Sequence, residues 1–523
     1  MTAGDTTAAE SACNKRHRFT LADVETDAAI GAVVCTDETV PRSGIQPSIR
    51  HTEPRAWTLL QLPREVLVLV LCWLDVRSLM RFASTCTEFH RERMTSAEIE
   101  EALRLRAARR GHVNPVRLPD GTNSWVAHLA WQERRREEAH MPVAVGTDCS
   151  FFVAGGGCLM SCGEESDMGE LGHEEDVGLH IRRLVVSVPT MLPSTAHIRF
   201  SQVSATVGSA VALSATGKVF TWGCGNDGLL GHGDEESIGI PRQLNDLDEH
   251  AIMSVTTGGL TCMAVTERGE VFMWGKDVSS RETLLRPRRI EGALTGVRVR
   301  STSIGQNHCL IVTEEGRLFA FGSPKCCGHK SFSFKLQVVR ALCDVRIVAV
   351  AAGWFHSLAL SADGTVFAWG ANRNGQLGLS RCDDEYVKLP QTIVTLNGRN
   401  VCAVAASDDT SFALTTAGEL YSWGDGRFGK LGHGDTDDQL APKRVDALLG
   451  ERVSVVSSGC KHTIAVSRDG SVFGWGKAEG LGLPKSAAAF RQYFIDAEGN
   501  PLWDYGCVMS PHRYAKLSGL QRI

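Results

Sequence analysis

Gly353-Trp-Phe-His356-Ser-Leu-Ala-Leu-Ser-Ala-Asp-Gly364-Thr-Val-Phe-Ala-Trp369-Gly370-Ala-Asn-Arg-Asn-Gly375-Gln-Leu-Gly378 is the stretch that decides the fold. Residues 357–361 and 365–369 are short, partly alternating apolar runs joined by a turn with Asp363-Gly364, which predicts a β-hairpin. The frame returns as Val211-Ala-Leu-Ser214 with Gly217-Lys-Val-Phe-Thr-Trp222, and as Ile464-Ala-Val-Ser-Arg-Asp-Gly470-Ser-Val-Phe-Gly-Trp475. Its closing dipeptide, or a variant, begins at Cys162, Trp222, Trp274, Phe321, Trp369, Trp423 and Trp475, with gaps of 60, 52, 47, 48, 54 and 52 residues. A period near 50 marks a propeller or solenoid array, and such arrays offer surfaces more often than catalysis. An apolar stretch such as 345–352 precedes each hairpin. A Gly-rich loop and a Pro-containing strand such as 442–445 follow it. Four strands in each of seven repeats predict a mainly β chain, a seven-bladed β-propeller over residues 141–523.

The loops carry a motif of their own. Gly-x-Leu-Gly-His-Gly-Asp stands at Gly228–Asp234 and Gly429–Asp435, with shorter versions at Gly169–His173, Gly375–Leu379 and Gly480–Leu483. Turns of this kind need positive φ or close backbone approach, which glycine tolerates. On these residues and the stretch quoted above, the repeat resembles the regulator-of-chromosome-condensation family. The resemblance is strongest in the fifth, sixth and seventh copies. The first copy has Cys162 for Trp, and the third and fourth lack the Gly-x-Leu-Gly loop. Pro511–Ile523 matches 442–453 up to the point where an inner strand would follow, and Val143-Ala-Val-Gly146 supplies such a strand at the other end. One blade is therefore expected to combine strands from both ends, removing an open edge.

A second module precedes the ring. In Leu62-Pro63-Arg-Glu-Val66-Leu67-Val-Leu-Val-Leu71-Cys-Trp-Leu74, Val66, Leu67, Val70, Leu71 and Leu74 fall at helical spacing, and Pro63 suits the first turn. Asp75 breaks the run, Ser78 can cap a second helix with Leu79, Phe82, Ala83 and Cys86 inward, and Phe89 belongs to a third. Val68, Leu69 and Trp73 make the opposite face of the first helix apolar too. A module of about 40 residues is too small to cover both faces, and such a patch marks an interaction site. The segment resembles the F-box, the module by which substrate receptors dock on the Skp-type adaptor of cullin–RING ubiquitin ligases. The resemblance implies adaptor-binding roles for Leu62, Pro63, Val66, Leu67, Val68, Leu71, Trp73, Leu74 and Leu79. The competing reading is a plain helical subdomain. Residues 57–96 form this module. Residues 97–140 read as a charged helical linker. Residues 1–56, rich in Thr, Ala, Asp and Glu without periodicity, read as a disordered tail.

Net charge of −5 excludes a strongly basic nucleic-acid or membrane binder. Arg134-Arg-Arg136 is flanked by glutamates and reads as a solvated spacer. The start lacks a charged-then-apolar leader, so the 17 cysteines are expected in a reducing compartment as small hydrophobes, placing the protein in the cytoplasm, the nucleus or both. No Cys-x-x-Cys pair exists, and Cys326-Cys327-Gly-His329 is a weak metal signal. His308, His356 and His462 share one repeat register and are expected as hydrogen-bonded turn residues. Gly223-Cys-Gly225-Asn-Asp-Gly228 and Gly424-Asp-Gly426-Arg-Phe-Gly429 mimic a dinucleotide motif but run into further loops, not helices. No cofactor, metal or catalytic residue is expected.

The last repeat is longer, with 36 residues from Trp475 to Pro511 against 19 from Trp423 to Pro442. The extra stretch carries Phe490, Tyr493, Phe494, Trp503 and Tyr505. It either folds back on its own blade or forms an interface hot spot, which makes these five the candidate client-binding residues. The two resemblances together imply a non-catalytic, substrate-recruiting receptor of a cullin–RING ligase, with a Skp-type adaptor, a cullin complex and an unnamed client protein as partners. The chain is expected to have no room for a transferase domain. The competing reading is a guanine-nucleotide exchange factor for a Ran-like GTPase or a chromatin-binding propeller; a third is a scaffold whose F-box acts outside any ligase.

Overall fold

The computed structural model describes residues 142–165, 168–173, 184–329, 334–483, 490–495 and 501–513. The F-box-like segment, the charged linker and the tail, and with them all nine expected adaptor-binding residues, lie outside the described residues. The described residues belong to the second of two units, Arg135–Ile523.

Seven antiparallel sheets follow one another in chain order and form the seven blades. They span 143–191, 200–243, 252–289, 299–338, 347–392, 401–444 and 453–513. Six have four strands in sequential order; the seventh has five. In blade 5 the strands are Ile347–Ala352, His356–Ser361, Val366–Asn372 and Asp383–Thr392. The second strand is buried along its whole length, which explains its weak alternation. Leu358 and Leu360 pack toward blade 6, whereas Ala359 packs toward blade 4. A strand covered on both faces reads as a continuous apolar run.

The core is a set of seven hydrophobic clusters, one at each seam between neighbouring blades. The repeated aromatic sits in the third strand of its blade. Its cross-strand partner is always small: Ser150 opposite Cys162, Ala210 opposite Trp222, Cys262 opposite Trp274, Cys309 opposite Phe321. Ser357, Ser411 and Thr463 face Trp369, Trp423 and Trp475. All five tryptophans are fully buried. Cys262 and Cys309 thus serve as small hydrophobes beside an indole or phenyl ring.

The ring does not close by mixing strands from both ends. Val143–Val145 is the inner strand of blade 1, all of whose strands are consecutive, and Pro501–Arg513 pairs within blade 7. The repeat frame does resume at Val143, but the joint falls on a seam between blades. There Val143, Val145, Phe152 and Cys162 pack on Ile464, Val466, Val472 and Leu481.

Outer strands have open edges, and in blades 1 to 6 these are blunted. Pro189, Pro241, Pro287, Pro390 and Pro442 stand in the outer strands of blades 1, 2, 3, 5 and 6, and Pro511 in the fourth strand of blade 7, each next to a register shift. Blade 4 ends in a two-residue strand, Gln337–Val338. Proline, bulges and short strands all hinder edge-to-edge pairing.

Because Phe473 and Gly474 pair with Arg513 and His512, deleting residues 511–523 strips the end of the fourth strand from the sheet. The deletion is expected to lower the melting temperature of the whole ring by several degrees; an unchanged transition in calorimetry contradicts this.

Candidate functional site

In a four-stranded meander the turns between strands 1 and 2 and the loops between strands 3 and 4 emerge at the same end. The Gly-x-x-His turns and the Gly-x-Leu-Gly-His loops therefore share one face of the ring. Their polar residues are largely spent on holding blades together.

The residue after the first glycine offers its carbonyl to the next blade. Trp222 Nε1 donates to Glu170 O at 2.9 Å, Trp274 to Leu229 O at 3.0 Å, Trp423 to Gln376 O at 2.9 Å and Trp475 to Lys430 O at 2.7 Å. The glycine that follows the Leu lies against the same indole. At Gly432, φ is +81° and an added Cβ would stand 2.9 Å from Trp475 Nε1, so both conformation and space exclude larger residues. The His of each full loop turns back on its own blade. Ser161, Thr221 and Ser422 donate to Leu171 O, Leu230 O and Leu431 O, and pair with Nε2 of His173, His232 and His433.

The fourth copy has this loop after all. Trp369 Nε1 donates to Cys326 O at 2.7 Å, Cys327 is fully buried where the other copies have Leu, and Gly328 at φ +73° lies against Trp369. Cys326-Cys327-Gly328-His329 is the x-Leu-Gly-His segment with cysteine in its apolar place. Burial pushes the Cys326 thiol up to about 12 and raises the Cys327 thiol too, away from thiolate chemistry. The third copy does lack the loop: Asp277 instead ties a turn through Ser279 and Ser280.

His308, His356 and His462 are hydrogen-bonded, as expected, and their partners lie across the seams. Their Nε2 atoms lie 2.8 Å from Ser357, Ser411 and Ser150 Oγ of the next blade. Those hydroxyls donate their protons to Cys326 O, Gln376 O and Gly480 O, so each imidazole must donate through Nε2. Burial holds all three neutral, down to about 4, about 3 and about 3. At the closing seam, where Cys162 replaces the indole, the Ser150–His462 pair is joined by Asp148, held at 2.8 Å by both Lys461 and Lys477.

Blade 6 contributes a buried cation. Lys430 Nζ is fully enclosed, 2.6 Å from Asp425 and 3.3 Å from Asp408, and donates to Cys460 O at 3.1 Å. Burial would raise Asp425, but the Arg427 and Lys430 contacts override it and hold the carboxyl at about 2. The neighbouring Asp409 is raised by burial and by Asp408.

What this face leaves to solvent is uneven. Val207 and Leu260, in the turns of blades 2 and 3, are 49% and 37% exposed. Trp354 and Phe355 follow in blade 5, half-buried, with rings 6.5 Å apart and nearly perpendicular. Charged side chains, Asp148, Lys461 and Arg427, complete the rim. Trp354 and Phe355 could have been found as the two positions inside the Gly353-x-x-His356 turn; Val207 and Leu260 stand in turns without that motif, at residues 206–209 and 258–261.

The five aromatics chosen from sequence lie elsewhere, on a hairpin at the outer edge of blade 7. Phe490–Ile495 pairs antiparallel with Pro501–Arg513. Phe494 stands opposite Trp503, Tyr493 opposite Asp504, Gln492 opposite Tyr505 and Phe490 opposite Cys507. The insertion thus folds back on its own blade and adds a fifth strand. The two dinucleotide-like stretches end in single 3-10 turns, Asn226–Gly228 and Arg427–Gly429, as loops and not as helices.

These seams define a propeller of the regulator-of-chromosome-condensation type. The chain belongs to the RCC1-like domain family, which matches residues 158–489, and it carries an F-box domain at residues 59–91. It is 36% identical to the ultraviolet-B receptor UVR8 of Arabidopsis thaliana, covering 56% of this chain and 59% of that protein. It is 32% identical to the human E3 ubiquitin-protein ligase HERC2 over 69% of this chain and 8% of that protein. It is 34% identical to the mouse secretion-regulating guanine nucleotide exchange factor over 51% of this chain and 61% of that protein. The chain therefore spans less than two thirds of the length of each of these relatives. Yeast Prp20p shares the fold, with a TM-score of 0.57 at 21% identity over 73% of this chain and 88% of that one. Among the described residues no helix is long and apolar enough to cross a membrane.

Two outcomes follow for the seams. The folded values of the three histidines lie below the ordinary 6.5, so the unfolded chain takes up protons first as pH falls. Their contribution is whole above 6.5 and is lost toward 4 and 3, by about 1.4 kcal/mol per pH unit for each. Denaturation midpoints are expected to fall over that window, with a shallower slope in His462→Gln; an unchanged slope contradicts the assignment. Lys430→Met leaves two buried carboxylates without their cation, and urea unfolding is expected to register a loss of about 3–5 kcal/mol; a loss below about 1 kcal/mol would show that the pair is solvated.

Proposed function

We propose that this protein is a substrate-recruiting receptor of a cullin–RING ubiquitin ligase. The single observation that carries the reading is the joining, in one chain, of an F-box at residues 59–91 to an RCC1-like propeller at residues 158–489. F-box domains bind Skp-type adaptors in cullin complexes. In this chain Leu62, Pro63, Val66, Leu67, Val68, Leu71, Trp73, Leu74 and Leu79 form the docking face, and the propeller holds a client protein. The reading makes the chain a non-catalytic subunit that works in the cytoplasm, the nucleus or both. It is supported by the employment of the histidines: His308, His356 and His462 are each engaged in holding a seam. The half-exposed crown of Val207, Leu260, Trp354 and Phe355 and the blade 7 hairpin with Phe490, Tyr493, Phe494, Trp503 and Tyr505 are the two surfaces offered to a client.

The similarity to a guanine nucleotide exchange factor favours one alternative, exchange on a small GTPase. A pull-down separates the two. Wild-type chain is expected to capture a Skp-type adaptor, and a Leu62→Ala/Pro63→Ala double variant to lose most of that capture while keeping the melting temperature of the ring. Equal capture by both chains, or capture of a GTPase in its nucleotide-free form without the adaptor, contradicts the receptor reading.

A further inference from the structure

The outer edges of the blades are guarded, with one exception. Blades 1, 2, 3, 5 and 6 end in strands that carry proline beside a register shift, and blade 4 ends in a two-residue strand. Blade 7 has its proline, Pro511, but not on its outermost strand. Phe490–Ile495 lies outside Pro501–Arg513, and among the described residues no strand pairs with its far side. Its sequence, Phe-Arg-Gln-Tyr-Phe-Ile, has no proline, a single charge at Arg491 and a strong preference for extended backbone. Six residues make an edge about 20 Å long. Unpaired backbone groups along such an edge form a template for another strand.

We propose that this edge takes an extended peptide segment of a client protein as a sixth strand of blade 7. Main-chain hydrogen bonds supply the affinity, and alternate side chains supply the choice of sequence. A segment rich in β-branched residues with one carboxylate near Arg491 suits it. A second copy of the chain is the less fitting occupant. Two bulky rings touching through one six-residue edge bury far less than the roughly 1,200–2,000 Å² of a stable dimer, whereas a linear segment needs no more than the edge itself. The inference rests on reading the propeller as the client-binding half of the protein, and it names the mode of capture.

The test uses the full-length chain and a defined probe: a seven-residue peptide that alternates threonine and valine behind an N-terminal glutamate. Hydrogen exchange is expected to show new protection within residues 490–495 when the peptide is present. N-methylation of alternate peptide nitrogens on one edge is expected to weaken binding at least tenfold, and methylation on the other edge to leave it near the parent value. Successive residues aim their N–H groups to opposite sides of the strand, so one of Gln492→Pro and Tyr493→Pro is expected to abolish binding with the ring still folded. Equal binding of both methylated peptides, protection of 490–495 already complete in the free chain, or dimerisation lost in either proline variant overturns the proposal. A chain that captures a Skp-type adaptor but binds the probe without edge selectivity loses this inference alone. A chain that shows the edge selectivity but captures no adaptor loses the receptor reading alone.

Discussion

An indole N–H donated to a backbone carbonyl of the preceding blade is the contact on which the ring depends. It occurs at five of the seven seams, through Trp222, Trp274, Trp369, Trp423 and Trp475. Each bond lies in an apolar cluster, where a buried carbonyl left unmatched costs about 1–3 kcal/mol. The same geometry fixes the loop. The carbonyl must face outward from its blade, and the glycine two residues on must let the next indole approach. The loop motif and the Trp-Gly dipeptide are therefore two halves of one joint, written about 50 residues apart.

Two seams lack the indole, and they differ in how they compensate. Between blades 3 and 4, Phe321 keeps the apolar contact. The seam is held by a cluster containing Met263, Val265, Val299 and Ile311, with a Thr256–Thr302 hydroxyl pair at 2.7 Å. Between blades 7 and 1, Cys162 is too small to reach, and polar groups take over: Ser150 with His462 and Gly480 O, and Asp148 with two lysines. That seam joins the two ends of the repeat array with no covalent continuity. Charge-assisted hydrogen bonds are stronger than neutral ones, and here they add to the apolar cluster at the joint that the chain itself does not tie.

Much of this was readable in advance, because the joint repeats. The period, the strand order, the hairpin turns and the glycine loops follow from residue types that the geometry requires, and the three seam histidines stood out by register. The fourth loop escaped because Cys327 does the work of a leucine; composition alone does not separate a buried cysteine from a metal ligand. Ring closure was misread because a repeat can be cut at any phase, and only strand pairing shows that the cut between Arg513 and Val143 falls between blades. The aromatic insertion was visible as extra length, but its register, with Phe494 opposite Trp503, needed coordinates. The crown residues Val207, Leu260, Trp354 and Phe355 are not legible from the repeat because they vary from blade to blade.

The repeated polar groups of the ring are engaged in its own seams, and in the proposed reading its activity lies in what the two modules grip. Sedimentation of the full-length chain mixed with a purified Skp-type adaptor and a cullin–RING core tests this most directly. The account predicts one stable complex with a single copy of each component. Separate sedimentation of the chain and the adaptor at micromolar concentration would contradict it.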